Sequence, residues 1–117
     1  MVSIIIVNYN TKQLTLNCLK SIYEYTKDID FEIIVVDNAS SDGSVEAIRE
    51  SFPIVNVIGS NENLGFGRAN NLGAKYAQGK YLFLLNSDTL LIENSIKKLY
   101  DFRARQHNSV IKKVKTT

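Results

Sequence analysis

Four short apolar runs, separated by segments of helical periodicity, constrain the fold of this chain more than any other feature of its sequence. The runs cover residues 3–7, 31–36, 54–58 and 81–85, and the first three are rich in Ile and Val. Continuous runs of this kind, without strict alternation, suit strands that are covered on both faces. We therefore predict four strands at these places.

Apolar residues at helical spacing follow each of the four runs. The four groups are Leu14, Cys18, Ile22 and Tyr25; Val45, Ile48 and Phe52, before Pro53; the small residues Ala69, Gly73 and Ala77; and Ile92, Ile96, Leu99 and Tyr100. Asn10 or Thr11 is available as the N-cap of the first helix. The alternation predicts an α/β fold, three-layer α/β/α with a mostly parallel sheet.

Charge is unevenly distributed along the 117 residues, which are enough for one domain. Five of the 14 basic residues lie after Asp101, where no acid occurs, so residues 1–102 carry nine basic and twelve acidic residues. This distribution argues against nucleic acid as a partner of the body. We expect residues 1–102 to form the folded part and residues 103–117 a basic tail or a truncated remainder, with His107 solvent-exposed. Such a tail is usually solvated, and a weak attraction to anionic membranes is the alternative.

The single cysteine, Cys18, excludes an intrachain disulfide framework and favours a reducing compartment. The N-terminus lacks the basic region and cleavage site of a signal peptide, and its apolar run is too short to span a bilayer. We therefore expect a cytoplasmic protein, with the inner face of the membrane as a further expected location.

Polar residues follow every predicted strand. They are Asn8–Tyr9–Asn10, the segment 37–43 (DNASSDG), the segment 59–65 (GSNENLG) and Asn86–Ser87–Asp88. Turns favour such residues for structural reasons alone. In a parallel α/β sheet, however, these segments meet at one edge, where ligands bind, and two carboxylates stand at strand ends. Together the four loops favour a ligand site.

The two carboxylates at strand ends indicate what this site could bind. Asp37 ends the second strand, where an acid can accept hydrogen bonds from a ribose or a base. Asp88, beside the neutral Asn86 and Ser87, is a hard oxygen ligand that suits Mg²⁺ or Mn²⁺ shared with phosphate oxygens. Zinc does not fit, because no Cys or His lies nearby in the sequence.

Three common site motifs are absent from the sequence. NYNTKQ stands where a dinucleotide-binding domain has G-x-G-x-x-G, and neither a P-loop nor a G-x-S-x-G elbow occurs. The lone pair Gly65 and Gly67 before a helix is a weak phosphate-binding signal.

Three stretches in this order resemble the nucleotide-binding half of family 2 glycosyltransferases, most closely the rhamnosyltransferase-like branch. They are VSIIIVNYN, EIIVVDNASSDGS and NENLGFGRANNLGAKYAQGKYLFLLNSDT, and the resemblance covers residues 2 to about 102. It implies a GT-A fold with strand order 3-2-1-4. It also implies that the chain is truncated relative to the family, whose C-terminal half carries the catalytic base and the acceptor site.

The resemblance also assigns individual site residues. Asn8, Tyr9 and Asn10 match the loop that lines the nucleotide site, Asp37 the acid that contacts the base or ribose, and Asp42 the second acid of that loop. Asn71 and Gly73 match an N-x-G motif beside the diphosphate, and Asn86 and Asp88 the ends of a DxD-like motif, with Asp88 as the metal ligand. Asn70 stands where many members carry Arg, so a phosphate-contacting Arg is not expected at that position.

The implied function is metal-assisted, inverting transfer of a sugar in cell-surface polysaccharide synthesis. The donor would be a UDP-, dTDP- or GDP-linked sugar, and the acceptor hydroxyl that of a glycan or a lipid-linked molecule. The alternatives are a nucleotide and metal-binding module without turnover, a structural remnant and, against the poor match of NYNTKQ, a nucleotidyltransferase. If the sheet ended at the fourth strand, its exposed edge would favour homo-oligomers.

Overall fold

The computed structural model describes residues 1–105 and 112–114, so the expectation for His107 lies outside the described residues. The strands are β1 (Val2–Asn8), β2 (Phe31–Asp37), β3 (Asn56–Gly59), β4 (Tyr81–Leu85) and β5 (Lys112–Val114). The helices are α1 (Lys12–Tyr25), α2 (Ser44–Ser51), α3 (Gly65–Tyr76) and α4 (Ser95–Arg105). The predicted α/β alternation is confirmed. Two apolar residues included in the sequence prediction, Ile54 and Ile92, lie outside β3 and α4 and are largely exposed.

All strand pairs in the sheet are parallel, in the order β3-β2-β1-β4-β5. The order 3-2-1-4 implied by the resemblance is thus present, with β5 added. β5 pairs with residues 83–85 of β4, so the expectation that β4 forms the open edge of the sheet is wrong over these residues. The physical reason is that the short segment Lys112–Val114, in which no element was predicted, supplies the missing parallel partner.

The two faces of the sheet are covered unequally. On one face, α1, α2 and α4 bury a core with β1, β2 and β4, represented by Ile22, Ile48, Ile96 and Phe83. On the other face, α3 is the helix of the described residues that packs on β1 and β2. As predicted, β1 and β2 are buried on both faces. β4 instead alternates between buried and half-buried residues, because among the described elements α3 packs mainly on β1 and β2.

A hydrogen-bonded latch closes the amino end of the sheet. It consists of Ser3, Glu32, Gln78 and Gly79. The Ser3 hydroxyl donates to Glu32 Oε2 at 2.6 Å, and the Gln78 amide donates to the same oxygen at 2.6 Å. The Gly79 amide donates to Ser3 Oγ at 2.8 Å. A Cβ at residue 79 would lie 2.6 Å from Ser3 Oγ, so this close approach requires glycine.

Helices within the described part of the chain are all too short or too polar to cross a membrane.

Candidate nucleotide-binding cleft

An open cleft of about 540 Å³ lies at the carboxyl end of the parallel sheet, as predicted from the sequence. It is lined by Val7, Tyr9, Thr11, Leu14, Asn38, Asn63, Gly65, Phe66, Asn86, Ser87 and Asp88. Apart from Val7 in β1, these residues come from the chain segments that follow β1, β2, β3 and β4. Four loops distant in the sequence therefore meet at one site, and Tyr9, Asn86 and Asp88 of the expected residues are in its lining.

Asp88 is exposed in the cleft, three residues after the end of β4. Its carboxylate accepts no hydrogen bond from the residues that the structure describes, although its loop is well fixed. The Thr89 amide donates to the Asn86 carbonyl at 3.0 Å, and the Leu91 amide donates to the Ser21 hydroxyl oxygen of α1 at 3.0 Å. A free carboxylate on an anchored loop is available to a ligand.

Cys18 of α1 packs beneath this loop. Its Sγ lies 3.9 Å from the carbonyl oxygen of Asn86 and the side chain is buried. Burial, followed by the negative charge of Asp88, raises the pKa of the Cys18 thiol to about 12. The thiol therefore stays protonated at neutral pH and acts as a small packing group under the cleft.

Asn8 and Asp37, both expected to contact the nucleotide, are buried beneath the cleft and hydrogen-bonded to each other. Asn8 is 0% exposed and Asp37 is 2% exposed. Asn8 Nδ2 donates to Asp37 Oδ1 at 2.7 Å. Ser40 donates to the same carboxylate through its hydroxyl, at 2.7 Å, and through its amide, at 2.9 Å. This network joins the ends of the neighbouring strands β1 and β2.

Tyr9 and Asn10 are adjacent in the sequence but have different surroundings. Tyr9 is about half exposed and lines the cleft. Asn10 has a φ of 51°, a left-handed conformation that Asn tolerates. Its amide donates to Ser40 Oγ at 2.9 Å and its side-chain oxygen accepts from the Ser41 amide at 2.8 Å. Asn10 therefore ties the β1 and β2 loops together and is not among the described residues of the cleft lining.

Asp42 holds the starts of two helices. Its Oδ2 accepts from the Lys12 amide of α1 at 3.1 Å, and its Oδ1 accepts from the amide and the hydroxyl of Ser44 in α2. These hydrogen bonds, the Ser44 hydroxyl first, hold the pKa of the Asp42 carboxyl below its ordinary value. Both oxygens are thus used within the protein, and Asp42 does not belong to the described lining of the cleft.

The two residues of the N-x-G motif lie on α3, away from the cleft lining. Asn71 is exposed and borders a separate groove of about 260 Å³, with Arg68 and Lys75. Gly73 is buried against the sheet: a Cβ there would lie 2.8 Å from Ile5 Cγ2 and 3.1 Å from Val36 Cγ2. The glycine therefore allows α3 to pack closely on β1 and β2.

Eight lining residues were not among the site residues assigned individually. They are Val7, Thr11, Leu14, Asn38, Asn63, Gly65, Phe66 and Ser87. Asn38 accepts from the Leu64 amide at 3.1 Å and donates to the Gly65 carbonyl at 3.3 Å, so it fixes the loop that carries Asn63 and Phe66. Its position directly after a strand end was a usable signal for Asn38. No sequence signal distinguishes Phe66 from a core aromatic.

The family described as Glycosyl transferase family 2 matches residues 3–114. Glycosyltransferase GlyG of Streptococcus pneumoniae is 33% identical over 104 residues, which are 86% of this chain and 34% of that protein. The poly(ribitol-phosphate) beta-glucosyltransferase of Bacillus spizizenii is 31% identical over 114 residues, 93% of this chain and 18% of that protein. Together with the parallel sheet and its cleft, these matches show that the chain belongs to glycosyl transferase family 2.

Solved structures agree with this assignment and with a GT-A fold. Staphylococcus aureus TarS 1-349 in complex with UDP-GlcNAc superposes with a TM-score of 0.76 at 25% identity, over 91% of this chain and 32% of that one. The mannosyltransferase PcManGT of Pyrobaculum calidifontis, in complex with GDP-Man and Mn²⁺, gives 0.73 at 30% identity, over 80% and 29%. The chain spans 28–34% of the length of the first three curated relatives.

Proposed function

We propose that this chain is the part of a glycosyltransferase that binds a nucleotide-diphosphate sugar, in an enzyme that transfers the sugar to an acceptor hydroxyl. The observation that carries this proposal is the exposed, unbonded Asp88 carboxylate in a polar cleft at the carboxyl end of the sheet. Membership of family 2 and the structural neighbours in complex with UDP-GlcNAc and GDP-Man support it.

The cleft chemistry fits a divalent cation held jointly by protein and ligand. No group of three or more His, Cys, Asp or Glu side chains able to hold a metal occurs in the described part of the chain. Mg²⁺ is commonly held by one or two carboxylates together with substrate phosphates, and Asp88 with the polar Asn86 and Ser87 fits that mode. We propose Asp88 as the ligand of Mg²⁺ or Mn²⁺. When bound, such an ion supplies Lewis-acid stabilisation of the departing diphosphate.

The remaining lining residues suit the other parts of a nucleotide sugar. Tyr9 and Phe66 are each about half exposed and offer aromatic surface to the base. Asn63 and Ser87 offer polar groups to ribose or phosphate oxygens. Asn8 and Asp37 act indirectly, because their buried pair fixes the loop that presents Tyr9.

A second candidate function is binding of nucleotide and metal without turnover. Inverting transfer requires a general base that takes the proton of the acceptor hydroxyl. Among the described lining residues Asp88 is the one acid, and a carboxylate that holds the cation is not available as that base. The family resemblance implies an inverting reaction. We propose that reaction for an assembly in which a second carboxylate, one that does not hold the cation, serves as the general base.

The acceptor is proposed from the names of the relatives, and the location from the single cysteine and the basic residues after Asp101. Two of them are named as poly(ribitol-phosphate) glycosyltransferases and one as a teichuronic acid biosynthesis glycosyltransferase. We propose a hexosyl donor, a cell-surface polymer or its lipid-linked precursor as acceptor, and a cytoplasmic location at the inner face of the membrane.

Calorimetric titration of UDP, dTDP and GDP into the 117-residue chain, with Mn²⁺ or with EDTA, tests the binding function. We expect metal-dependent binding that Asp88→Ala weakens by at least about tenfold, since a charged contact contributes roughly 1.5–3 kcal/mol. Glu50→Ala removes an exposed acid of α2 outside the cleft and should bind like the parent. If the nucleotides bind equally well in Mn²⁺ and in EDTA, and equally well to the parent and to Asp88→Ala, the metal site is refuted. No binding of any nucleotide would refute the proposal.

Turnover separates the two candidate functions. The measurement is release of UDP from UDP-GlcNAc, with poly(ribitol phosphate) as acceptor. Release above the level of Asp88→Ala supports transfer by this chain, whereas binding without release supports the non-catalytic module.

A further inference from the structure

Thr11 is the N-cap residue of α1, yet its side chain makes no capping hydrogen bond. Thr is favoured at this position because its hydroxyl oxygen normally accepts from an amide of the first turn. The Lys12 amide, at the first position of the helix, donates to the Asp42 carboxylate at 3.1 Å. The Thr11 hydroxyl does not fill the structural role that its position predicts.

The hydroxyl of Thr11 points towards the strand ends and lies close to the Asp88 loop. Thr11 Oγ1 donates to Asn8 Oδ1 at 2.9 Å and lies 3.5 Å from Ser87 Oγ. Thr11, Ser87 and Asp88 all line the same cleft. A ligand bound at Asp88 would thus meet the Thr11 hydroxyl as the next polar group on the α1 side.

Thr11 can change its hydrogen-bond partner without leaving a buried group unpaired. Its acceptor, Asn8 Oδ1, also receives the hydroxyl of Thr15 at 2.6 Å, and Thr15 is 0% exposed. If Thr11 donates elsewhere, the Asn8 carbonyl keeps Thr15 as a donor, so the desolvation cost of an unpaired buried acceptor is avoided.

We propose that Thr11 is a ligand-binding residue whose hydroxyl donates to a diphosphate oxygen of the nucleotide, an inference that rests on the proposed function. A phosphate oxygen is the expected partner because a cation held by Asp88 would bind the diphosphate in the part of the cleft that Ser87 and Thr11 line. Hydrogen bonds to charged oxygens are also shorter and stronger than those between neutral groups. No new buried charge is needed, because the hydroxyl is neutral and only exchanges Asn8 Oδ1 for the phosphate oxygen as its acceptor.

The chain offers a matched control for this test. Thr11→Val and Thr15→Val each replace a hydroxyl by a methyl group of similar shape, and each removes one donor to Asn8 Oδ1. Both should therefore lower the melting temperature by similar amounts. Thr11 lines the cleft, so Thr11→Val should weaken binding of UDP or GDP in Mn²⁺ by at least about tenfold. Thr15→Val keeps the Thr11 hydroxyl but leaves Asn8 Oδ1 without a donor when Thr11 turns to the ligand, so it should lose less affinity than Thr11→Val. Thr11→Ser, which keeps the hydroxyl, should bind like the parent.

The outcomes separate this inference from the proposed function. Parent and Thr11→Val binding with equal affinity would overturn the Thr11 assignment alone. A parent chain that binds neither nucleotide would overturn both. If Thr11→Val does not fold, Thr11→Ala supplies the same loss of hydroxyl. Equal loss of affinity in Thr11→Val and Thr15→Val would show that only the buried network matters and would also overturn the assignment.

Discussion

Asp37 and Asp88 follow parallel strands and lie at the same end of the sheet, but their surroundings are opposite. Asp37 is 2% exposed and accepts from Asn8 and Ser40. Asp88 is exposed and accepts from none of the described residues. β2 lies between β1 and β3, so a side chain at its last position is enclosed by two neighbouring strand ends. Asp88 is carried three residues beyond β4, past this enclosure.

The contrast divides the expected site residues into those that build the cleft and those that face it. Asn8, Asp37, Asp42 and Gly73 form hydrogen bonds or close packing within the protein. Tyr9, Asn86 and Asp88 line the cleft. Substitutions in the first group should therefore change stability, whereas those in the second should change ligand affinity, and each of the following variants tests that division.

The largest effect is expected for Asn8→Asp. It places a second carboxylate beside Asp37 in a buried position, where two like charges cannot both ionise. We expect a loss of about 3–5 kcal/mol in the free energy of unfolding at pH 7, measured by urea denaturation. The exchange variant Asn8→Asp with Asp37→Asn restores one acid and one amide and should recover most of the loss. If Asn8→Asp is as stable as the parent, Asp37 does not belong to the residues that build the cleft.

A smaller effect is expected for Gly73→Ala. The added Cβ would overlap Ile5 and Val36 side chains, so α3 must shift, at a cost of about 1–3 kcal/mol. Gly67→Ala lies in the same helix with no atom within 4 Å of the added Cβ, and should be neutral or stabilising by up to about 1 kcal/mol. Thermal unfolding measures both. A Gly73→Ala variant of parental stability that loses nucleotide affinity would place Gly73 in the ligand-contacting group.

The smallest effect, and the one with a pH signature, is expected for Asp42→Asn. The lowered pKa of Asp42 means that its ionised form stabilises the fold fully above the ordinary carboxyl pKa, and that this stabilisation is lost as pH falls through the folded-state pKa. Asp42→Asn should cost about 1 kcal/mol at pH 7, because hydrogen bonds to a charged oxygen are stronger than those to a neutral one by roughly this amount. The difference from the parent should shrink in acid, below about pH 4.

Ser44→Ala serves as the control for this pH dependence. It removes the hydroxyl that contributes most to the lowered pKa of Asp42, so the acid-dependent part of the stability should also shrink. A constant difference between the parent and Asp42→Asn from pH 7 to pH 3 would contradict an ionised Asp42 as the bond acceptor. Nucleotide affinity of the folded variant should be unchanged.

Periodicity predicted the architecture well because buried strands and helices carry strong patterns. The β4 run at residues 81–85 was predicted with its observed bounds, and the remaining three strands within two residues. Ile54 and Ile92 were misplaced because an apolar residue in a connection has the same sequence appearance as one in a core. β5 was missed because three residues, Lys112–Val114, are too few to show a period.

The sequence indicated at which edge of the sheet the site lies, but not which way the side chains at that edge point. All four polar loops do follow strands at the carboxyl end, as parallel pairing requires. Which acid is buried depends on strand register: Asn8 lies opposite Asp37, and this pairing brings their side chains together. Asp42 meets Lys12 only after α1 has packed. Such contacts join distant segments, so no local pattern records them.

The latch formed by Ser3, Glu32, Gln78 and Gly79 closes the end of the sheet opposite the cleft. It shares no hydrogen bond with the described residues that line the cleft, so the two ends are held by separate sets of contacts. For protein engineering this makes the scaffold modular. Loops at the cleft end can be exchanged, while the contacts at the opposite end keep the strands aligned.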